Sequence, residues 1–226
     1  SLDSLNTDIN ELNQSVLNLN NDNSTFESSP VPKEESKDIK VIKLDIDKLQ
    51  NTVKTAIRML DNVIDLNFYP TKESSNSNLQ HRPIGLGLMG YHDVLHILNI
   101  QIDSQESIDF SDKLFEHYSK NAIEASSELA AERGAYKTYS GSLWDQGIFP
   151  IDSYNNLMEY KGSKDLKAEE NKTYWESCRE SVTKYGMRNS NVMAIAPTAT
   201  ISNITGVTQS VEPTYQNLYV KSNLPR

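Results

Sequence analysis

Cysteine is nearly missing: the 226 residues hold one, Cys178. One thiol cannot close an intrachain disulfide, form a dithiol redox pair or build a four-thiolate metal site. Chemistry that needs two thiols must borrow at least one from another polypeptide. Basic charge is also scarce, with 22 Lys and Arg against 31 Asp and Glu and a net charge of −9. That argues against an exposed phosphate track for nucleic acid, which needs a basic surface. No apolar run approaches the roughly 20 residues that span a bilayer, so no membrane partner is expected. The start, Ser1-Leu2-Asp3-Ser4, lacks the basic and apolar regions of a secretory leader. A cytoplasmic location is the expectation.

What is present is unevenly spread. Residues 1–26 contain seven of the chain's 22 Asn. Leu2, Leu5, Ile9, Leu12 and Val16 keep only a weak helical spacing, so 1–17 reads as weak helix or loop. Residues 18–40 run through TFESSPVPKEESKDIK (25–40), broken by Pro30 and Pro32, and read as a polar flexible loop. From Val41 the pattern sharpens. Ile46, Leu49, Val53, Ile57, Leu60, Val63 and Ile64 recur at three and four behind Asp45, predicting a capped helix that ends near Asn67.

A polar loop is expected over 71–80, then a short helix through Leu98. A second long helix opens at Ser104 or Ser107, buries Ile108, Leu114, Phe115, Tyr118, Ala122, Ile123 and Leu129, and stops at Gly134. Residues 135–170 read as loop-rich. Another helix covers Tyr174 to Tyr185, closed by Gly186. Asn191 to Ala196 reads as a buried strand before Pro197, with a helix from about Asn203. Helices alternating with short apolar strands predict an α/β architecture.

Three local patterns invite chemistry. GLGLMG over 85–90 matches a dinucleotide fingerprint, but HRP at 81–83 is no strand and Asp103 falls in a turn. The glycines then serve close backbone packing. HDVLH over 92–96 resembles a zinc-protease helix, but with Asp93 in place of the glutamate base and no third ligand, which leaves packing histidines. Cys178 lies inside a helix-forming stretch without the polarised setting of a reactive thiol. The segment 191–205 stands apart. A chain entering a helix presents unpaired N–H groups and the positive dipole end to an anion. Thr198, Thr200 and Ser202 add hydroxyls, and Ala199 leaves room. Either this is a phosphate cradle or an ordinary Thr/Ser helix cap.

Longer stretches carry a resemblance. MRNSNVMAIAPTATIS (187–202), VEPTY (211–215), NLYVKSNL (217–224), TAIRMLDN (55–62), RPIGLG (82–87) and ERG (132–134) together resemble the large (α) subunit of class I ribonucleotide reductase, in order over about 41–224. The resemblance implies a ten-stranded α/β barrel, of which 41–226 would be the C-terminal portion, an incomplete barrel. It implies that Pro197, Thr198, Ala199, Thr200 and Ile201 hold the diphosphate of a ribonucleoside diphosphate. Reduction to deoxyribonucleotides would use a thiyl radical and a cysteine pair. The finger-loop Asn-Leu-Cys-x-Glu and that pair are absent from this sequence, and Cys178 matches neither, so no catalytic residue is assigned and the isolated chain is expected to be inactive. No cofactor or metal is expected on this chain. ATP and dNTP effectors, a radical-generating small (β) subunit with its metallocofactor, the remainder of the large subunit, and thioredoxin or glutaredoxin are the implied partners of the full complex. Two rivals stay open: a non-catalytic half of a split subunit, and an adenosylcobalamin-dependent reductase.

Overall fold

The computed structural model describes residues 43–162 and 172–214. The expectations for 1–17 and 18–40, and the motif at 217–224, lie outside the described residues. Seven α-helices occur among them: α1 Ile46–Leu66, α2 Lys72–His81, α3 Tyr91–Leu98, α4 Gln105–Arg133, α5 Pro150–Tyr160, α6 Lys172–Tyr185 and α7 Ile201–Thr205.

The long helices begin and end where their capping residues dictate. Asp45 accepts from the Lys48 N–H at the start of α1, and Ser104 accepts from the Ser107 N–H at the start of α4. These side chains satisfy donors that have no intrahelical partner. Gly134 ends α4 with φ 86°, a conformation that costs glycine little.

Helix α4 is the spine. It lays Tyr118, Ala122, Ile123, Ala125 and Leu129 against Val53, Ile57 and Ile64 of α1 and Trp175, Cys178 and Val182 of α6. Small buried residues, Ala122, Ala125, Ser126, Ser127 and Ala130, let the neighbouring backbones approach closely. Lys54 pairs with Glu128 and Arg58 with Glu132, both 74 residues apart. That constant offset means α1 and α4 run in the same direction. Ser127–Ser181 and Glu116–Trp175 contacts show α6 running the same way.

Several expectations need correction. The polar stretch 71–80 is helical: Thr71 caps α2 by accepting from Ser74 N–H, and Arg82 closes it in a left-handed conformation. No residue of α2 is buried, so hydrophobic periodicity carried no trace of it. Helix α5 interrupts the loop-rich region, started by Pro150 and by Asp152, whose carboxylate accepts from Phe149 N–H at 2.7 Å. The last helix begins at Ile201, before Asn203. Val63 and Ile108, placed on buried faces by spacing, are 53% and 59% exposed, and Phe115 is half-buried.

The strand expected at 191–196 is reduced to one parallel bridge, Leu86 with Met193. Leu86 N–H donates to Val192 O at 2.9 Å and Ala194 N–H to Leu86 O at 3.2 Å. Val192 is buried, but Ala194 to Pro197 are exposed. Inside a parallel sheet such a run is paired with strands along both edges and covered by helices on both faces. Among the described residues it has one neighbour. The helical part of the α/β expectation is therefore present, and its strands shrink to this pairing.

The pairing depends on the glycines. A Cβ on Gly85 would fall 2.7 Å from Ala194 Cβ, and one on Gly87 would fall 2.8 Å from Ala194 O. Tyr118 Oη donates to Gly87 O at 2.6 Å, pinning the run to α4. Burial pushes the Tyr118 phenol up to about 12, so it stays a donor. GLGLMG serves close backbone packing.

Candidate functional site

Motifs scattered along the sequence meet at one carboxylate. Asp61 has no solvent exposure. Arg82 grips it with Nε and Nη2 at 2.9 and 2.7 Å, and Nη2 also donates to the Asp61 carbonyl at 3.0 Å. Arg133 Nη1 donates to Asp61 at 2.9 Å. Arg188 Nε lies 3.3 Å from the same carboxylate. Asn189 Nδ2 donates to Asp61 at 3.2 Å and to Arg82 O at 3.1 Å, while Ser126 holds its amide from the other side.

Arg82 extends the knot outward to Asp65 at 2.7 and 2.8 Å. That guanidinium holds the Asp65 carboxyl below the usual carboxylate range. A second pair, Arg58 and Glu132, meets bidentately at 3.0 and 2.6 Å on the exposed side, and holds Glu132 down at about 2. Paired charges with satisfied hydrogen bonds can be buried at tolerable cost; a single unpaired one cannot. The knot ties α1, the α2 terminus, the end of α4 and the entry to the 191–194 pairing into one unit.

That pairing delivers the chain to Pro197–Ile201. Pro197, Ala199, Thr200 and Ile201 are exposed and Thr198 is half-buried. Thr198 has φ 55°, a region L side chains seldom adopt. Its Oγ1 accepts from Ser210 N–H at 2.8 Å, and its carbonyl accepts from Ser202 N–H at 3.0 Å. Thr200 sits at the N-cap of α7 without a side-chain capping bond. So the ordinary Thr/Ser cap is not what Thr200 does, and its hydroxyl is not committed to the helix. Ser202, counted from sequence as a further donor, is fully buried and its hydroxyl has no partner.

The remaining candidates have packing roles. His92 Nδ1 accepts from Thr214 N–H at 2.8 Å. Burial, and then the adjacent His96, pull His92 below the ordinary histidine value, which keeps that nitrogen an acceptor. Among the described residues no group of three or more His, Cys, Asp or Glu is placed to hold a metal. Cys178 is fully buried, and burial pushes its thiol up to about 12; it stays protonated within the core.

Sequence reasoning missed Asp61. A signal existed, because Asp61 continues the buried stripe of Val53, Ile57 and Ile64, where a carboxylate needs a buried partner.

The model of the ribonucleotide reductase barrel domain matches residues 26–225. The chain is 57% identical over 183 residues to the ribonucleoside-diphosphate reductase subunit alpha of Chlamydia pneumoniae, covering 80% of this chain and 18% of that one. It is 43% identical over 176 residues to the Helicobacter pylori subunit alpha, covering 78% and 22%. Against the vaccinia virus large subunit the identity is 39% over 179 residues, covering 79% and 22%. The chain thus spans about a fifth of the length of these curated relatives. A barrel-domain match over most of the sequence, with relatives 39–57% identical across nearly four-fifths of it, establishes that the chain belongs to the ribonucleotide reductase barrel-domain family.

Proposed function

We propose that this chain supplies part of the catalytic barrel of a ribonucleoside-diphosphate reductase large subunit, and that Pro197, Thr198, Ala199, Thr200 and Ile201 receive the substrate diphosphate. The observation that carries the reading is the turn itself. Thr198 is fixed in a left-handed conformation by Ser210, and exposed Thr200 and Ile201 open a helix. The Thr200 hydroxyl makes no capping bond to that helix and is available to donate to a phosphate oxygen.

An α/β barrel suits the rest of the molecule. Adjacent helices α1, α4 and α6 run parallel, and so does the Leu86–Met193 bridge. Parallel strands require crossover connections, which place helices on the outside.

In this reading the chain binds and orients ribonucleotide and leaves the radical and thiol chemistry to cysteines elsewhere in the assembly. Its own thiol is buried and protonated. The small subunit with its radical metallocofactor, the ATP and dNTP effectors, and thioredoxin or glutaredoxin act on that assembly. The 226-residue chain alone should show no reduction of CDP; measurable turnover would overturn this division.

The site is tested in the assembled reductase by Thr200→Asp, which places a negative charge where the phosphates should rest. The KM for CDP should rise about tenfold or more, the loss expected when a charged partner is repelled, with effector binding intact. An unchanged KM retires the loop. A second reading, a split half that acts by complementation, draws on Ile195, Ile201 and Ile204, which are 45%, 51% and 79% exposed beside the one-sided bridge. It is distinguished by mixing the chain with the complementary part of the subunit and asking whether activity appears.

A further inference from the structure

The start of α3, which the sequence offered as HDVLH, has no part in the function proposed above, yet it forms the seat of the 197–201 turn. Gly90 N–H donates to Thr208 O at 2.8 Å and Tyr91 N–H to Ser210 O at 3.4 Å. Asp93 Oδ2 accepts from Thr208 N–H at 2.8 Å. Gly90 lets these segments meet: a Cβ there would lie 3.3 Å from Val207 Cβ, and its φ is 79°. Two residues beyond Thr208, Ser210 N–H donates to Thr198 Oγ1. A continuous linkage therefore runs from the Asp93 carboxylate through 208–210 to Thr198.

Both ends of the last step are conformationally demanding. Thr198 and Ser210 have φ of 55° and 45°, and non-glycine residues keep such values where surrounding bonds impose them. Loosening 208–210 would free Ser210, and with it the constraint on Thr198.

We propose that Asp93 is a positioning residue for the phosphate loop: by holding Thr208 it fixes Ser210, which fixes Thr198 in the shape that receives the diphosphate. This rests on the reading of 197–201 given above. Two other roles for Asp93 predict different results. A carboxylate that merely complements the α3 dipole would affect stability and leave substrate affinity alone. A carboxylate felt by the diphosphate only as charge would repel it, so its removal would lower KM. Positioning predicts the opposite sign.

The test uses the assembled reductase with three variants in this chain. Asp93→Ala should raise the KM for CDP about tenfold, as for loss of a charge-assisted hydrogen bond, with kcat changed by less than about threefold. Asp93→Asn keeps an acceptor oxygen without the charge and should return KM to within about threefold of the parent. Amide exchange should quicken over 205–210 in Asp93→Ala while α4 keeps its protection. A KM at or below the parent value in Asp93→Ala, alongside a raised KM in Thr200→Asp, overturns the positioning role and leaves the loop standing. If Thr200→Asp also leaves KM unchanged, the loop reading fails and the positioning role with it. Should Asp93→Ala not accumulate, Asp93→Leu keeps the side-chain size without an acceptor for Thr208 N–H and should give the same rise; parental KM in that variant is equally fatal.

Discussion

Around Asp61 the side chains of Arg82, Arg133, Arg188 and Asn189 close on a carboxylate with no solvent exposure. At Pro197–Ile201, only Thr198 is even half-buried. The two regions also differ in what holds them. The interior knot is overdetermined, each member bonded several times, while the turn depends on single contacts such as Ser210 N–H to Thr198. Loss of one partner in the knot strands a buried charge. Change at the turn leaves the core untouched and, under the function proposed for it, alters what the turn can receive.

The sharpest way to break that contrast is Asp61→Ala. Removing one partner from a buried ionic cluster costs about 3–5 kcal/mol, and urea unfolding should show a loss of that order. A loss below about 1 kcal/mol would mean that the three arginines simply re-solvate. Next comes Gly87→Ala, whose new methyl meets the Ala194 carbonyl. Overpacking of this kind costs about 1–3 kcal/mol, and the Leu86 and Ala194 amides should exchange faster.

Asp65 tests the rim of the knot. Its folded pKa lies below its ordinary value of 3.8 because Arg82 hydrogen-bonds the charged form. The stability it contributes is present above the unfolded value and is lost as pH falls through the folded one. Its side chain is 48% exposed, so the contribution is about 1 kcal/mol or less. Asp65→Asn should flatten that part of the acid limb below about pH 4; an unchanged limb would remove Asp65 from the account. Smallest is the stability effect of Thr200→Asp, within about 0.5 kcal/mol as for other exposed positions. A larger loss would show that the turn supports the fold.

The same contrast governs what could be read from the amino acids. Caps at Asp45 and Ser104, the stop at Gly134 and the packing role of Gly85 and Gly87 follow from local chemistry, and each stands in the structure. Thr198 and Thr200 were legible as hydroxyls before a helix. The Ser210 bond was not, because it depends on two positive φ values that spacing does not encode. Helix α2 escaped because no residue of it is buried. Spacing also marks Val63 and Ile108 as core although they face outward, since periodicity finds an apolar stripe but not its partner. Residues 191–196 were legible as strand in composition, yet strand formation is a property of neighbours.

The knot also bears on how the chain folds. Asp61 and Arg82 lie 21 residues apart, whereas Asn189 reaches Asp61 across 128. Closing the longer span costs chain entropy that only the finished contacts repay. During synthesis, at about 5–20 residues per second, Asp61 and Arg82 must wait for the later arginine and asparagine. The early helices therefore mature on a timetable set by residues near the far end of the described chain, and a ribosome-bound intermediate halted before Arg188 should remain loosely packed around Asp61.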